Sequence, residues 1–516
     1  MVLFKIAITK IFTQVQNFKF FLPFITALGG LISGYLVYKF APEAKGSGIP
    51  YVKAALMHFG NLTRVRSIFV KFFGGIASIA TGMSLGREGP SVQLGSGAGA
   101  LVGKIFKIKG TSVDKLISAG AGSAIAATFN APIAGCIFVL EELNQKFNST
   151  VLFPVLIATF GASTLSRYIL GNNTSFIIPK LPSDISINII PCVVLGLICG
   201  FLGVAFAKLI YLFNDLFSKI KIKPYFKPMI AGFIVGCVGL FLPLILGSGN
   251  TSVDILLANK LTFGIIVAVF IFKFILTPIC FASGAVGGIF LPMLMLGGFL
   301  GYITAIIFNH FNFEVNPIIL SLIGMASFFS ATARTPITAS IMVFEMTGGY
   351  NFILYIMLSS AISDFVAQKL KHKPIYSKLI VNETKNSSQI ELLKNKKVKD
   401  ILKTDIDSVL DKSSLKEALN QMNLSAHSIF PVINKDNALL GSISKAQIED
   451  VLINPNSEKL KVEDIADTNV LKVKNDLDLY TLIFRLHNFD HDKAFVVDDL
   501  DRLTGIIARC DIQELL

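Results

Sequence analysis

Gly86-Arg87-Glu88-Gly89-Pro90 sets a guanidinium and a carboxylate between two glycines and a proline, directly after the apolar run 66–85. Charge inside a membrane-length apolar tract is costly, so the pair demands a reason. Proline suits the first turn of a helix and glycine lets a backbone or a ligand come close, so these residues read as a helix start within the bilayer. A helix start carries free N–H groups and the positive end of the dipole. It is a ready anion site, and Glu88 is an anion already tethered beside it. The competing reading is an Arg87–Glu88 pair that only neutralises itself at a helix end.

The surrounding chain decides that the tract lies in a membrane. Of its 516 residues 53% are hydrophobic, with 44 phenylalanines, too apolar for a chain soluble throughout. Apolar runs at 21–38, 66–85, 117–140, 151–165, 190–212, 228–246, 262–282, 289–308, 317–344 and 352–367 are mostly long enough to cross or re-enter a bilayer. The net charge of +13 would suggest nucleic acid in a soluble protein, but here the lysines gather in short loops and at Lys369, Lys371, Lys373 and Lys378. Basic loops report orientation, so this cluster and the soluble-type sequence after it are expected in the cytoplasm, with no nucleic-acid partner. Five of the six cysteines (Cys136, Cys192, Cys199, Cys237, Cys280) lie in or beside apolar runs and read as small core residues. No metal site is expected: the histidines lack ligand spacing, and His491 between Asp490 and Asp492 reads as a solvated loop.

Other helix starts surround the first. Gly46-Ser47-Gly48-Ile49-Pro50 follows the glycine-rich run 21–38 and again looks like a loop entering a helix, here with a hydroxyl at its tip, although an ordinary turn has the same residues. The glycines after Pro90, in Leu94-Gly95-Ser96-Gly97-Ala98-Gly99, suit close helix packing better than a nucleotide loop, because no strand precedes them. The run 117–140 ends at Glu141-Glu142, either a polar helix terminus or something more.

The second half repeats the first. Gly46-Ser47-Gly48 matches Gly247-Ser248-Gly249 at an offset of 248 − 47 = 201. Gly86, Pro90 and Gly95 match Gly288, Pro292 and Gly297 at 288 − 86 = 202, and Gly120, Pro132, Val139 and Glu141 match Gly324, Pro336, Val343 and Glu345 at 324 − 120 = 204. Duplicated, glycine-interrupted hydrophobic halves indicate a transporter whose site lies between the repeats and is built from broken helices. The expected fold is therefore an all-α polytopic membrane protein of two inverted repeats (about 1–170 and 188–370), with three helix starts at 46–50, 86–90 and 288–292 aimed at one anion.

These motifs, followed by Lys373-Pro374-Ile375-Tyr376-Ser377, resemble in sequence, order and spacing those of the chloride channel and chloride/proton antiporter (CLC) family, over about residues 1–380. The resemblance implies that Ser47 and Tyr376 coordinate a central chloride with their hydroxyls and that Ile289 and Phe290 add backbone N–H groups. It further implies that Glu88 is the gating glutamate, that Glu142 is the inner proton acceptor, and that the protein is a homodimer in the cell membrane. The chain departs from the family at its start, where the first membrane helix looks truncated, and at Tyr51 and Lys53, where bacterial relatives often carry acidic residues. Neither position belongs to the anion site, so these two are expected to affect only local packing.

Beyond a linker at 381–397 the segments 398–453 and 461–516 share one order of helix, strand, helix, paired strands and helix, and they resemble a pair of α/β CBS domains. Such pairs often bind adenine nucleotides through a Ser/Thr and an Asp three residues later. Here the first copy has Ser444 with Gln447 and the second has Asp511 with Ala508, so each half-motif is incomplete. Nucleotide binding and a purely structural platform both stay open; no cofactor is expected to be required. The function implied is exchange of chloride for protons, with a passive chloride channel of the same fold as the alternative. A membrane-tethered enzyme finds no nucleophile with a base, no HExxH and no P-loop, and a magnesium or osmolyte transporter would need a carboxylate- or aromatic-lined path instead.

Overall fold

The computed structural model describes residues 2–15, 17–57, 62–108, 111–145, 147, 149–171, 176, 188–348, 352–384, 388–404, 406–425, 427, 429–452, 460–489, 493–508 and 511–512. His491 and most of the loop 171–187 fall outside them. The chain forms two compact units, residues 1–56 with 60–383 and residues 57–59 with 384–516.

The first unit is helical. In order it contains α1 (Val2–Val15), α2 (Leu22–Phe40), α3 (Ile49–Leu56), α4 (Val65–Ala80), α5 (Glu88–Ile105), α6 (Thr111–Phe129), α7 (Pro132–Phe138), α8 (Ser149–Leu170) and α9 (Ile189–Lys219). There follow α10 (Phe226–Phe241), α11 (Asn250–Leu257), α12 (Phe263–Ala282), α13 (Phe290–His310), α14 (Pro317–Ala333), α15 (Pro336–Thr347), α16 (Ile353–Lys369) and α17 (Ile375–Thr384). Among the described residues α2, α8, α9, α12 and α13 are long and apolar enough to cross a membrane, and the rest are shorter or more polar. Short helices are what a chain of broken spans requires.

Two runs that read as single segments, 117–140 and 317–344, are each two helices. The breaks fall at Asn130 and Arg334, left-handed at φ 57° and 66°, each two residues before a proline that opens the next helix. Proline has no N–H to continue the ladder, so the chain restarts there. Small residues set the close approaches as the glycine pattern predicts. A Cβ on Gly95 would stand 2.2 Å from the Gly120 carbonyl oxygen, and one on Gly297 would stand 2.1 Å from that of Gly324. α5 therefore lies directly on α6, and α13 on α14.

The second unit carries α18 (Ser388–Asn395) and two matching α/β modules. The first holds β1 (Val409–Leu410), α19 (Leu415–Asn423), β2 (Ile429–Ile433), β3 (Leu439–Ser444) and α20 (Lys445–Leu452). The second holds α21 (Val462–Ile465), β4 (Lys472–Val473), α22 (Leu479–Phe489), β5 (Lys493–Val497) and β6 (Leu503–Ala508). Each sheet has a parallel pair followed by an antiparallel hairpin, in the orders β1-β2-β3 and β4-β5-β6. Backbone bonds between Ser442 and Asp467 stitch the modules together.

Candidate functional site

Three helix starts converge through their own backbones. Gly86 and Gly288 exchange hydrogen bonds, N to O at 2.7 and 2.6 Å, joining the turn before α5 to the turn before α13. Gly46 ties in the third loop: its N–H donates to Ala285 O at 3.2 Å and its carbonyl accepts from Gly287 N at 3.0 Å. Gly48 sits at φ 94°, a left-handed turn that feeds α3 and suits glycine. Gly89 leaves room for Ser47, because a Cβ there would lie 2.1 Å from the Ser47 hydroxyl oxygen. α3, α5 and α13 thus begin side by side, with their positive ends together.

The polar atoms at this junction are buried and unsatisfied. Among the described residues Ser47 Oγ, both Glu88 carboxylate oxygens and the Tyr376 hydroxyl find no well-formed hydrogen-bond partner, and all three residues are fully buried. Buried polar groups are normally paired, so the orphaned Ser47 and Tyr376 hydroxyls fit donors to a small anion, whereas the Glu88 carboxylate is itself an anionic acceptor. The Glu88 carboxylate faces the amide of Leu291 in the first turn of α13, and Arg87 Nε stays 3.9 Å from it, too long for a hydrogen bond. Arg87 therefore offsets the Glu88 charge at ion-pair distance but fills neither of its oxygens. Ile289 caps α13 and Phe290 is its first residue. The Phe290 ring packs on Phe329, Phe129 and Phe138 with centroids 4.3, 5.5 and 6.0 Å away, which holds the start of α13 in place.

Glu142 is not a solvated helix terminus. It sits on a wide π-helical turn, Val139–Leu143, that continues α7, and it is 1% exposed. Its partner is Lys53 of α3, whose Nζ donates to Glu142 Oε1 at 2.6 Å and to the Ser377 hydroxyl at 2.7 Å. This corrects the expectation that Lys53 matters only for packing. A buried lysine needs a counter-charge, and the carboxylate it finds is the one implied in proton transfer. Glu141, next door, does something else. It accepts from Ile337 N at 3.1 Å, Thr338 N at 2.6 Å and Thr338 Oγ at 2.6 Å, capping α15. Glu345 returns the arrangement, accepting from Ile133 N and Ala134 N at 3.1 and 2.7 Å at the start of α7.

Two lysines were missed by the sequence reading. Lys71 of α4 donates to the carbonyls of Ala44 and Gly46 at 3.0 and 2.8 Å, bracing the Ser47 loop. Lys273 of α12 does the same to Ile245 and Gly247 at 2.9 and 2.6 Å. The signal was present, since both interrupt apolar runs and 273 − 71 = 202 repeats the offset already found.

In the second unit Ser444 and Asp511 are spent locally. Ser444 Oγ accepts from Gln447 N at 3.2 Å and donates to Gln447 Oε1 at 2.9 Å, capping α20. Asp511 accepts from Ala508 N at 2.7 Å and pairs with Lys403 at 2.5 Å. No hydrogen bond joins Ser444 to Asp511 among the described residues.

Known proteins share this architecture. Residues 29–368 match the family described as voltage gated chloride channel, and residues 398–454 and 462–516 each match the CBS domain. A relative from Vibrio cholerae serotype O1 (strain M66-2), the H(+)/Cl(-) exchange transporter ClcA, is 37% identical over 371 residues, covering 70% of this chain and 79% of its own. A crystal structure of a slow cyanobacterial Cl-/H+ antiporter aligns with TM-score 0.69 at 30% identity, over 74% of this chain and 94% of that one. A eukaryotic CLC transporter shares the fold over 99% of this chain and 95% of its own, with TM-score 0.66 at 18% identity. With the clasped helix starts, these matches make the chain a member of the voltage gated chloride channel (CLC) family that carries a pair of CBS domains.

Proposed function

We propose that this protein exchanges chloride for protons across a membrane. The observation that carries the reading is a second buried carboxylate besides Glu88, Glu142, paired with Lys53. In this reading Ser47, Tyr376 and the amides of Ile289 and Phe290 bind chloride without a full cation in contact, so the ion is held moderately and can leave. Ionised Glu88 competes for the same positive field and closes the path; protonated, it loses that attraction and swings aside. Glu142 hands the proton on toward the cytoplasm, the compartment we also assign to the CBS pair. A homodimer belongs to the proposal through family membership. An adenine nucleotide would meet Ser444 and Asp511 only after they leave their capping bonds, which favours a regulatory platform over a nucleotide sensor.

Liposomes containing the purified protein provide the test. A chloride gradient is expected to drive protons uphill. Chloride flux with no proton movement would replace the exchanger with the passive channel, which has no use for Glu142.

A further inference from the structure

Tyr376 brings a hydroxyl to chloride in the proposed function, yet among the described residues that hydroxyl finds no hydrogen-bond partner. Its place is therefore set by its backbone, in the first turn of α17, where Pro374 O accepts from Lys378 N at 3.1 Å. Whatever holds the chain just before Pro374 governs where the hydroxyl stands.

That hold is a cluster at the end of α16. Lys371 turns left-handed at φ 53°, and the N–H groups of Lys371 and His372 close α16 by donating to Gln368 O and Ala367 O at 2.8 and 3.0 Å. The His372 ring donates through Nε2 to Thr332 O of α14 at 3.2 Å. Arg334, in the break between α14 and α15, spans the rest: its Nε donates to Asp364 Oδ1 of α16 and its Nη1 to the His372 carbonyl at 2.9 Å. The other Asp364 oxygen accepts from Gln368 Nε2 at 2.8 Å, and Asp364 and His372 are each 8% exposed. Buried, paired groups of this kind fix one arrangement, because opening a bond leaves a charge without water.

The break in the first half is tied through a shorter side chain. Position 334 − 204 = 130 is Asn130, whose side-chain oxygen accepts from Ser163 Oγ and Arg167 Nε of α8 at 3.0 and 2.5 Å. Each break is thus bound to the second helix downstream, and the forked reach of arginine lets Arg334 grasp the turn beyond that helix as well.

We infer that Arg334 and Asp364 are positioning residues for chloride binding: with His372 they form a latch that sets the start of α17 and so places the Tyr376 hydroxyl. The inference rests on the chloride reading of Tyr376. Ser377, held by Lys53, restrains the chain just after Tyr376, so loss of the latch weakens the site without abolishing it.

A double-mutant cycle, read by calorimetric titration of the purified full-chain protein with chloride, tests this. Arg334→Gly suits the left-handed backbone at φ 66°, and Asp364→Asn in the same protein avoids a buried carboxylate without its partner. Tyr376→Phe should lower chloride affinity by a few-fold to about tenfold. The latch-free protein should lose about twofold or more, but no more than Tyr376→Phe does, and should lose nothing further when Tyr376→Phe is also present. An equal loss in both backgrounds, or none in either, overturns the latch while the loss in Tyr376→Phe leaves the chloride reading standing. An unchanged affinity in Tyr376→Phe overturns both. Should the latch-free protein not fold, Arg334→Lys carries the same cycle with the same outcomes, since it keeps a charge beside Asp364 but lacks the fork that reaches the His372 carbonyl.

Discussion

Glu141→Gln separates two adjacent carboxylates that the fold uses differently. The wild-type Glu141 side chain accepts three hydrogen bonds at the start of α15, at 3.1, 2.6 and 2.6 Å. Bonds to a charged acceptor are worth about 1.5–3 kcal/mol and neutral ones about 0.5–1.5, so removing the charge weakens each by roughly 1 kcal/mol. The amide nitrogen of glutamine cannot accept at all, which leaves one donor unfilled, and a negative charge at a helix start adds about 0.3–1 kcal/mol that is also lost. Because this end of α15 is partly exposed, water offsets some of the loss. The expected cost is about 2–3 kcal/mol of stability, read from denaturant unfolding of the purified protein in detergent. Glu345→Gln, which uncaps α7, should cost a similar amount. Chloride-driven proton uptake in liposomes should persist in both variants and disappear in Glu142→Gln, whose side chain caps nothing. The reasoning is refuted if Glu141→Gln keeps wild-type stability yet loses proton uptake.

Other expectations concern the anion path, the ion pair and the CBS unit. Glu88→Gln should transport chloride without pH dependence and without moving protons, because the amide cannot ionise; retained coupling would remove Glu88 from the gate. The Ser47→Ala, Tyr376→Phe double variant loses two neutral donors worth about 0.5–1.5 kcal/mol each, so calorimetry should show chloride affinity lowered by roughly 5- to 160-fold. Lys53→Met leaves Glu142 without its partner and should slow proton uptake at least severalfold while chloride flux continues, with Lys53→Arg restoring part of the rate; equal proton uptake in all three proteins would dismiss the pair from the proton step. Asp498 accepts from the backbone N–H of Arg502 and from its side chain, which holds its carboxyl below the usual range. Its contribution to the β5–β6 turn is therefore present at neutral pH and lost as pH falls through that depressed value, and Asp498→Asn should flatten the acid end of the CBS unit's stability profile.

Much of this protein is written locally. Glycine, proline and an isolated charge inside an apolar run mark where a helix restarts, so the starts of α3, α5 and α13 were legible from 46–50, 86–90 and 288–292. The duplication was legible too, because a fixed offset survives in glycines and prolines whose backbone roles leave few substitutes. Even Glu141 could be separated from Glu142, since only the first has a counterpart in the second half. What stayed hidden was pairing across the chain. Lys53 lies 89 residues from Glu142, and Glu141 lies 196 from the Ile337 amide it caps. No periodicity links residues so far apart; packing alone brings them together. The breaks at Asn130 and Arg334 were hidden for a related reason, as an apolar run looks alike whether one helix or two traverses it. Sequence by itself determined the membrane class, the repeat and the helix starts, because these follow from composition and backbone chemistry near each residue. Only the tertiary structure decided which buried charges meet, because the desolvation cost that forces Lys53 onto Glu142 exists only once the surrounding helices have closed over them.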